Sequence, residues 1–265
     1  MSKIANQEYL KNEQYKDASN LNARIELHRR FSTNAYGWGP WVFDNYLELL
    51  PRQARILELG CGPATIWADN VSRIPAGWDI TLSDFSDGML DTAWRNLVVT
   101  GRNFKFEQID AQSIPYSDEN FNVVIANHML YHVPDRPKAI AEISRVLKPG
   151  GQLIATTVGD RQMCEINAWC QQHAGTLLFP VMPFTLENGL AQLQPYFSQI
   201  KIRRYEDNLH ITEIEPLMAY IHSSSRITAF SETALAELRG ELERELQSSG
   251  VLMVTKDAGL FAVVK

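Results

Sequence analysis

Over residues 54–158 short apolar runs alternate with stretches of helical period. RILELG (55–60) is an apolar run entering Gly60-Cys61-Gly62. A turn with two glycines either bends the chain sharply or opens backbone N–H groups to a ligand. WDITLSDFS (78–86) alternates as a strand and delivers Asp84 at its end, with Ser86 and Asp87 suited to cap a helix through GMLDTAWRNL (88–97). FKFEQIDAQSIPY (104–116) repeats the arrangement, with Asp110 at the strand end. FNVVIANHMLYHV (121–133) is the continuous apolar run of a strand buried on both faces of a parallel sheet. A helix over 135–147 stops at Lys148-Pro149-Gly150, and QLIATT (152–157) makes a fifth strand.

Five strands separated by helices predict an α/β fold, a doubly wound parallel sheet with right-handed crossovers. Ligands of such sheets bind at the carboxyl ends of the strands, near the point where strand order reverses. Glu58, Asp84, Asp110 and Asn127 all fall at such ends.

The flanks carry a looser pattern. Residues 21–31 read as a helix with Leu21, Ile25 and His28 on one face, YGWGPW (36–41) is a break, and WVFDNYLELL (41–50) is a second helix ending before Pro51. After residue 158 the pattern predicts helices over 161–173, 213–225 and 232–246, an irregular apolar segment over 175–189 and a strand over 197–212. VLMVTKDAGLFAVVK (251–265) has two strand-like runs around Lys-Asp-Ala-Gly, a hairpin signal.

Composition narrows the class. At 265 residues the chain can bury a sizeable core. Its 31 acidic and 25 basic residues form no block of either sign, which disfavours nucleic acid and anionic membranes as partners. Cys61, Cys164 and Cys170 form no CxxC pair, residues 1–20 are too polar for a signal peptide, and no apolar run approaches a membrane span, so a cytoplasmic protein without a metal site is expected.

Gly60-Cys61-Gly62 lacks the third glycine of a dinucleotide loop, because Thr65 stands at that place. Asp84 and Asp110 follow Glu58 at equal intervals of one βαβ step. A carboxylate at the second strand end can accept both hydroxyls of a ribose, and one at the third can accept from the amine of a base. Three acids on adjacent strand ends suit a nucleoside with a positive group and would repel a phosphate.

With these residues in place, the chain resembles the class I S-adenosylmethionine-dependent methyltransferases, in the group related to the ubiquinone and menaquinone methyltransferases. The matching pieces are LELGCGPAT (57–65), LSDFS (82–86), IDAQSIPY (109–116), FNVVIANHMLYHV (121–133) and ISRVLKPGGQLIATT (143–157), with Ala64 standing where many relatives have glycine. The resemblance implies a Rossmann-like, doubly wound seven-stranded sheet, mostly parallel, whose last strand, here GLFAVVK (259–265), inserts antiparallel beside the fifth. It implies S-adenosyl-L-methionine as cofactor and S-adenosyl-L-homocysteine as product. Gly60 and Gly62, with Cys61 presenting its backbone, would line the methionine part, and Glu58 would hold its ammonium. Asp84 would bind the ribose, Phe85 would lie against the adenine, and Asp110 with Ala111 would face its amine. Asn127 and His128 would border the transferring methyl.

The expected organisation is an N-terminal helical lid over 1–50 and a methyltransferase domain over 51–265, with substrate-covering insertions near 160–195 and 212–232. The expected function is in-line methyl transfer to a small organic acceptor. Its alternatives are a module that binds the cofactor without turnover and, more remotely, an NAD-dependent oxidoreductase. A general base is optional for such a transfer, and His128 and His132 are the candidates. Tyr15, His28, Trp38, Tyr131, Met182, Phe184, Met218, Tyr220 and His222 are the candidate acceptor contacts, drawn from the covering segments. Oligomeric state and acceptor atom have no signature here.

Overall fold

The computed structural model describes residues 19–179, 182–224 and 226–265, with side chains from Arg24 onward; Tyr15 lies outside the described residues. Strands β1 (Ala54–Leu59), β2 (Trp78–Asp84), β3 (Lys105–Gln108), β4 (Phe121–Asn127), β5 (Leu147–Val158), β6 (Ser198–Tyr205), β7 (Asn208–Ile211), β8 (Leu252–Thr255) and β9 (Ala258–Val264) form two sheets. The main sheet runs β3-β2-β1-β4-β5-β9-β6, and β7 pairs with β8. β9 is antiparallel to both β5 and β6, whereas β1, β2, β3, β4 and β5 pair in parallel. This is the expected seven-stranded sheet.

Two apolar cores cover its faces. Leu57, Leu59, Val124, Ala126 and Leu153 pack against Ala139, Ile140 and Ile143 of a helix, Arg136–Val146. On the other face Ile56, Ile80, Val123 and Ile125 meet Ala93 and Leu97 of the helix Asp87–Val98 and Val42, Phe43 and Tyr46 of the helix Trp38–Leu49. In chain order the α-helices are α1 (Ser19–Phe31), α2 (Trp38–Leu49), α3 (Thr65–Asp69), α4 (Asp87–Val98), α5 (Arg136–Val146), α6 (Cys164–Ala174), α7 (Gly189–Leu193), α8 (Ile214–His222) and α9 (Glu232–Ser249). Pro40 sits in the first turn of α2, where its missing N–H costs nothing, behind Gly37 at φ +89°. Ser86 caps α4 and Asp135 caps α5, each accepting from a backbone N–H three residues on.

A third core joins Leu27 and Phe31 of α1 to Ile166 and Cys170 of α6, Leu217 and Ile221 of α8, Leu238 of α9, and the inner faces of β7 and β8. The helical segment expected over 1–50 therefore divides between cores: α1 belongs to this covering unit and α2 to the sheet. The face expected for α1 is also shifted. Leu27 is 0% exposed and Phe31 is buried beside it at a spacing of four, while Ile25 is 40% exposed, because the helix packs against α8 through the Leu27 side.

The terminal hairpin does not form. Leu252 and Val254 alternate with the exposed Met253, so β8 is a one-faced strand suited to a small sheet. In β9 six consecutive residues are buried, which requires sheet on both edges and cover on both faces. A Cβ on Gly259 would lie 2.3 Å from the Arg203 carbonyl oxygen, so β6 approaches β9 too closely for any side chain there. The strand expected over 197–212 likewise breaks at Asp207. Its carboxylate accepts from Asn34 N at 2.9 Å, Asn208 N at 2.8 Å, Thr33 Oγ1 at 3.1 Å and the Ser32 hydroxyl, and it pairs with the Lys256 ammonium.

Candidate active site

Beyond β1 the chain turns through Gly60 at φ +67° and Gly62 at φ +54°. Cys61 N donates to Ser83 O at 2.8 Å, and Gly62 N donates to Asp84 Oδ2 at 2.9 Å. Ser86 N donates to Asp84 Oδ1 at 2.9 Å, so the Asp84 carboxylate is fixed from both sides by backbone. A Cβ on Gly60 would lie 2.8 Å from Met129 Cβ, whereas one on Gly62 would meet no protein atom within 4 Å. The first glycine is required by packing and the second opens onto the cavity. Ala64 is also left-handed, at φ 55°, where a non-glycine residue costs about 1–2 kcal/mol.

Glu58 is 2% exposed. Asn127 Nδ2 donates to its Oε1 at 2.7 Å and Trp67 Nε1 donates to its Oε2. The same Asn127 amide donates to the Tyr46 hydroxyl at 2.7 Å, and Tyr46 stacks on Trp67 at 5.8 Å. Burial pushes the Glu58 carboxyl up to about 7; the bonds from Trp67 and Asn127 oppose this and the Asp84 charge adds to it. Burial also raises Asp84 against the pull of its backbone donors. Asp110 accepts from Gln112 N at 2.9 Å and Gln112 Nε2 at 3.0 Å.

A cavity of about 1140 Å³ runs from these strand ends to the covering unit. All the residues expected at the cofactor, Glu58, Gly60, Cys61, Gly62, Asp84, Phe85, Asp110, Ala111, Asn127 and His128, line it. At its far end the His128 backbone, at φ 48°, is held by Thr156 O at 3.1 Å and Thr156 Oγ1 at 3.0 Å. The His128 ring lies 5.2 Å from Trp38 and 6.3 Å from Tyr131.

Residues 57–155 match the family model described as a methyltransferase domain. The chain is 31% identical over 105 residues to the ubiquinone/menaquinone biosynthesis C-methyltransferase UbiE of Idiomarina loihiensis, which is 39% of this chain and 42% of that protein. It is 33% identical over 132 residues to the malonyl-[acyl-carrier protein] O-methyltransferase of Enterobacter lignolyticus, 48% of this chain and 49% of that one. The chain therefore carries a methyltransferase domain over residues 57–155. It matches between about two fifths and one half of the length of these curated relatives. Among solved structures it is similar to the YcgJ protein of Bacillus subtilis, with a TM-score of 0.58 at 16% identity over 86% of this chain and 97% of that one. It is also similar to phosphoethanolamine N-methyltransferase 2 of Haemonchus contortus, solved with S-adenosyl-L-methionine, with a TM-score of 0.58 at 19% identity over 98% and 59%. These likenesses show the fold.

S-adenosylmethionine is the cofactor that the methyltransferase domain implies, and the residues present fit it. Glu58 and Asp84 are buried carboxylates that accept from neutral N–H donors, so a cationic ligand would relieve the unfavourable burial of both charges. Each Glu58 oxygen accepts one of these bonds and retains a second lone pair. The burial that raises the Cys61 thiol well above its ordinary range makes it a poor nucleophile, in keeping with a residue that presents its backbone.

The acceptor contacts expected from sequence divide. His28, Trp38, Tyr131, Met182 and Tyr220 line the cavity, as does the candidate base His132. Phe184, Met218 and His222 do not. Phe184 is buried on the sheet with its ring 5.6 Å from Phe261, Met218 faces the third core, and His222 is exposed with Nδ1 2.7 Å from the Met218 carbonyl of its own helix. Met218 and His222 share one short helix with Tyr220, and only the packing of α8 decides which of its faces meets the cavity.

Sequence reasoning missed two residues. Asn167 clamps Phe179, donating to its carbonyl at 3.0 Å and accepting from its N–H at 2.8 Å, which holds an aromatic loop against the cavity. Lys256 reaches the cavity wall from what reads as a hairpin turn; its side chain is 8% exposed and its Asp207 partner 0%. Neither has a local pattern, since each role depends on a partner far away in the chain. His28 stacks edge-on with Tyr220 at 5.9 Å, and burial lowers its imidazole to about 3, with the Lys256 charge adding to the effect. Its Nδ1 is sealed from solvent and meets no hydrogen-bond partner among the described residues, a state that costs about 1–3 kcal/mol. Burial likewise lowers His128 to about 4. Among the described residues no group of three or more His, Cys, Asp or Glu could hold a metal, and no helix is long and apolar enough to cross a membrane.

Proposed function

We propose that this chain holds S-adenosyl-L-methionine along the ends of β1, β2, β4 and the loop after β3, and that it transfers the methyl to a small organic acceptor bound beneath α1, α6 and α8. The observation that carries this reading is the continuity of one cavity from the acid row at Glu58, Asp84 and Asp110 to the aromatic end at Trp38, Tyr131 and Tyr220. When bound, the cofactor supplies a methyl already activated by its sulfonium, so the protein's task is alignment and exclusion of water, which can contribute about 7–11 kcal/mol.

Each residue has a distinct part in that task. Asp84, fixed by Gly62 N and Ser86 N, accepts from the ribose hydroxyls, and Glu58 faces the ammonium with its orientation set by Trp67 and Asn127. Phe85 covers the adenine, and Asp110 and Ala111 face its amine. His128, with its backbone locked onto Thr156 and its ring against Trp38, closes the cofactor end from the acceptor end. The covering unit supplies acceptor specificity, with α1 contributing its helical lid. A general base is optional.

Calorimetry with S-adenosyl-L-homocysteine and with NAD tests the cofactor: binding of the former and none of the latter is expected, and the reverse would sink the reading. Incubation with methyl-labelled cofactor and a metabolite extract tests turnover. Label in a small molecule supports methyl transfer, while binding without any transferred label favours a module that holds the cofactor without chemistry.

A further inference from the structure

Beyond β3 the cavity wall is made by Ile109, Asp110 and Ala111. The Asp110 carboxylate is half-buried and is gripped by a residue two positions on. Gln112 N donates to Asp110 Oδ1 at 2.9 Å, and Gln112 Nε2 spans both oxygens, at 3.0 Å to Oδ1 and 3.1 Å to Oδ2. The backbone bond is a local turn of a kind aspartate often makes, and it holds one oxygen; the side-chain amide adds the second and so sets the plane of the carboxylate. Gln112 does not itself line the cavity, so its hold on anything bound there runs through Asp110.

The orientation of that amide is decided by a distant segment. Gln112 Oε1 accepts from Asp135 N at 3.0 Å, and the Asp135 side chain caps α5 by accepting from Lys138 N at 3.1 Å. A backbone N–H can only donate, so the amide turns its oxygen toward Asp135 and its NH₂ toward Asp110. The rest of the loop is tied to the same helix. Ile114 N donates to Glu142 Oε2 at 2.9 Å, and Arg145 donates to Ile114 O at 3.0 Å and to Tyr116 O at 2.8 Å. Since α5 packs on the sheet, the carboxylate is held against a rigid element instead of being left to the loop.

Resting on the reading above in which Asp110 faces the adenine amine, we propose that Gln112 is a positioning residue for base recognition. By bridging Asp110 to the start of α5 it holds the carboxylate as an acceptor ordered in advance, and the site thereby selects a 6-amino purine over a 6-oxo purine. A 6-oxo group presents an acceptor where the amine presents a donor, so the bond to the carboxylate is lost. Without Gln112 the carboxylate has to be ordered by the ligand at the moment of binding, a cost that falls on the ligand that bonds to it.

The test measures, by calorimetry on the full chain, the affinities of S-adenosyl-L-homocysteine and S-inosyl-L-homocysteine, which differ at the 6-position and in the N1 proton that goes with it. The native chain is expected to bind the adenosyl ligand about tenfold or more tighter. Gln112→Met keeps the length of the side chain and removes its donor and acceptor. Gln112→Glu keeps an acceptor for Asp135 N and replaces the donor with a carboxylate facing Asp110. Both variants should bind S-adenosyl-L-homocysteine about three- to tenfold more weakly, and S-inosyl-L-homocysteine within about twofold of the native chain. A role confined to tying the loop to α5 would behave differently: Gln112→Glu would be spared, and Gln112→Met would weaken both ligands alike.

Weakening of both ligands by one factor, or native discrimination retained in Gln112→Glu, overturns the role of Gln112 and leaves the cofactor reading in place. A native chain that binds the two ligands equally overturns the placement of Asp110 at the amine and this proposal with it. A native chain that binds neither ligand overturns the cofactor reading itself.

Discussion

Asp84 Oδ2 accepts a hydrogen bond from Gly62 N at 2.9 Å, so the carboxylate that ends the second strand and the glycine turn that follows the first are one rigid structure. The cofactor site is thus organised by backbone donors, and the carboxylate has little freedom to lose on binding.

Asp84→Asn keeps the shape but replaces an acceptor-only group with one that must aim an NH₂ at a backbone N–H. S-adenosyl-L-homocysteine affinity should fall by about 10- to 100-fold, in line with about 1.5–3 kcal/mol for a hydrogen bond to a charged group. Calorimetry reads this directly, and affinity equal to that of the native chain would remove Asp84 from the site.

Glu58 gives the site a pH dependence. Its folded value of about 7 stands above the ordinary 4.5, so the stability linked to it is complete below pH 4.5 and is lost as pH rises through about 7. The loss is on the order of 3 kcal/mol. A cationic amine reverses the trend, because it favours the ionised carboxylate. Affinity for S-adenosyl-L-homocysteine should therefore climb by up to about tenfold per pH unit below about pH 7 and level off above it. Glu58→Gln should flatten both curves in calorimetric and thermal-melting series.

Gly60→Ala and Gly62→Ala should separate packing from binding. At Gly60 the new methyl meets Met129 Cβ at 2.8 Å with φ at +67°, so stability should fall by about 2–4 kcal/mol from overpacking and backbone strain together. At Gly62 the methyl meets no protein atom, so stability should fall only by the left-handed strain of about 1–2 kcal/mol, while cofactor affinity drops because the methyl enters the cavity. Denaturant melts and S-adenosyl-L-homocysteine titrations of the two variants distinguish the effects.

Asp207→Ala should be the most damaging change outside the sheet. It leaves the buried Lys256 ammonium unpaired and releases Ser32, Thr33 and Asn34, for a loss of about 3–5 kcal/mol. The melting temperature should fall by about 10 °C. This carboxylate ties the α1–α2 connection to the turns after β6 and β8. A variant with an unchanged melting temperature would contradict that account.

The acid row was legible in the sequence because each member closes an apolar strand, and strands in a parallel sheet deliver their ends to one side whatever the rest of the chain does. The glycine turn, Asp84, Asp110 and Asn127 follow from that rule alone. Which residues of α1 and α8 reach the cavity was not legible. Leu21, Ile25 and His28 share one helical face by spacing, yet Leu27 and Phe31 are the residues in the core; Met218 and Tyr220 lie on one short helix and face different ways.

By itself the sequence determined the five parallel strands and the row of residues at their ends, since these rest on local periodicity, while the antiparallel last strand came only through the resemblance to the methyltransferases. Only the tertiary structure decided that β8 leaves β9 to pair with β7, that Asp207 and Lys256 meet across the chain, and that His28 ends with a nitrogen lacking a partner among the described residues. Such outcomes depend on which surfaces close against one another, and packing between distant segments leaves no periodic trace in the order of residues.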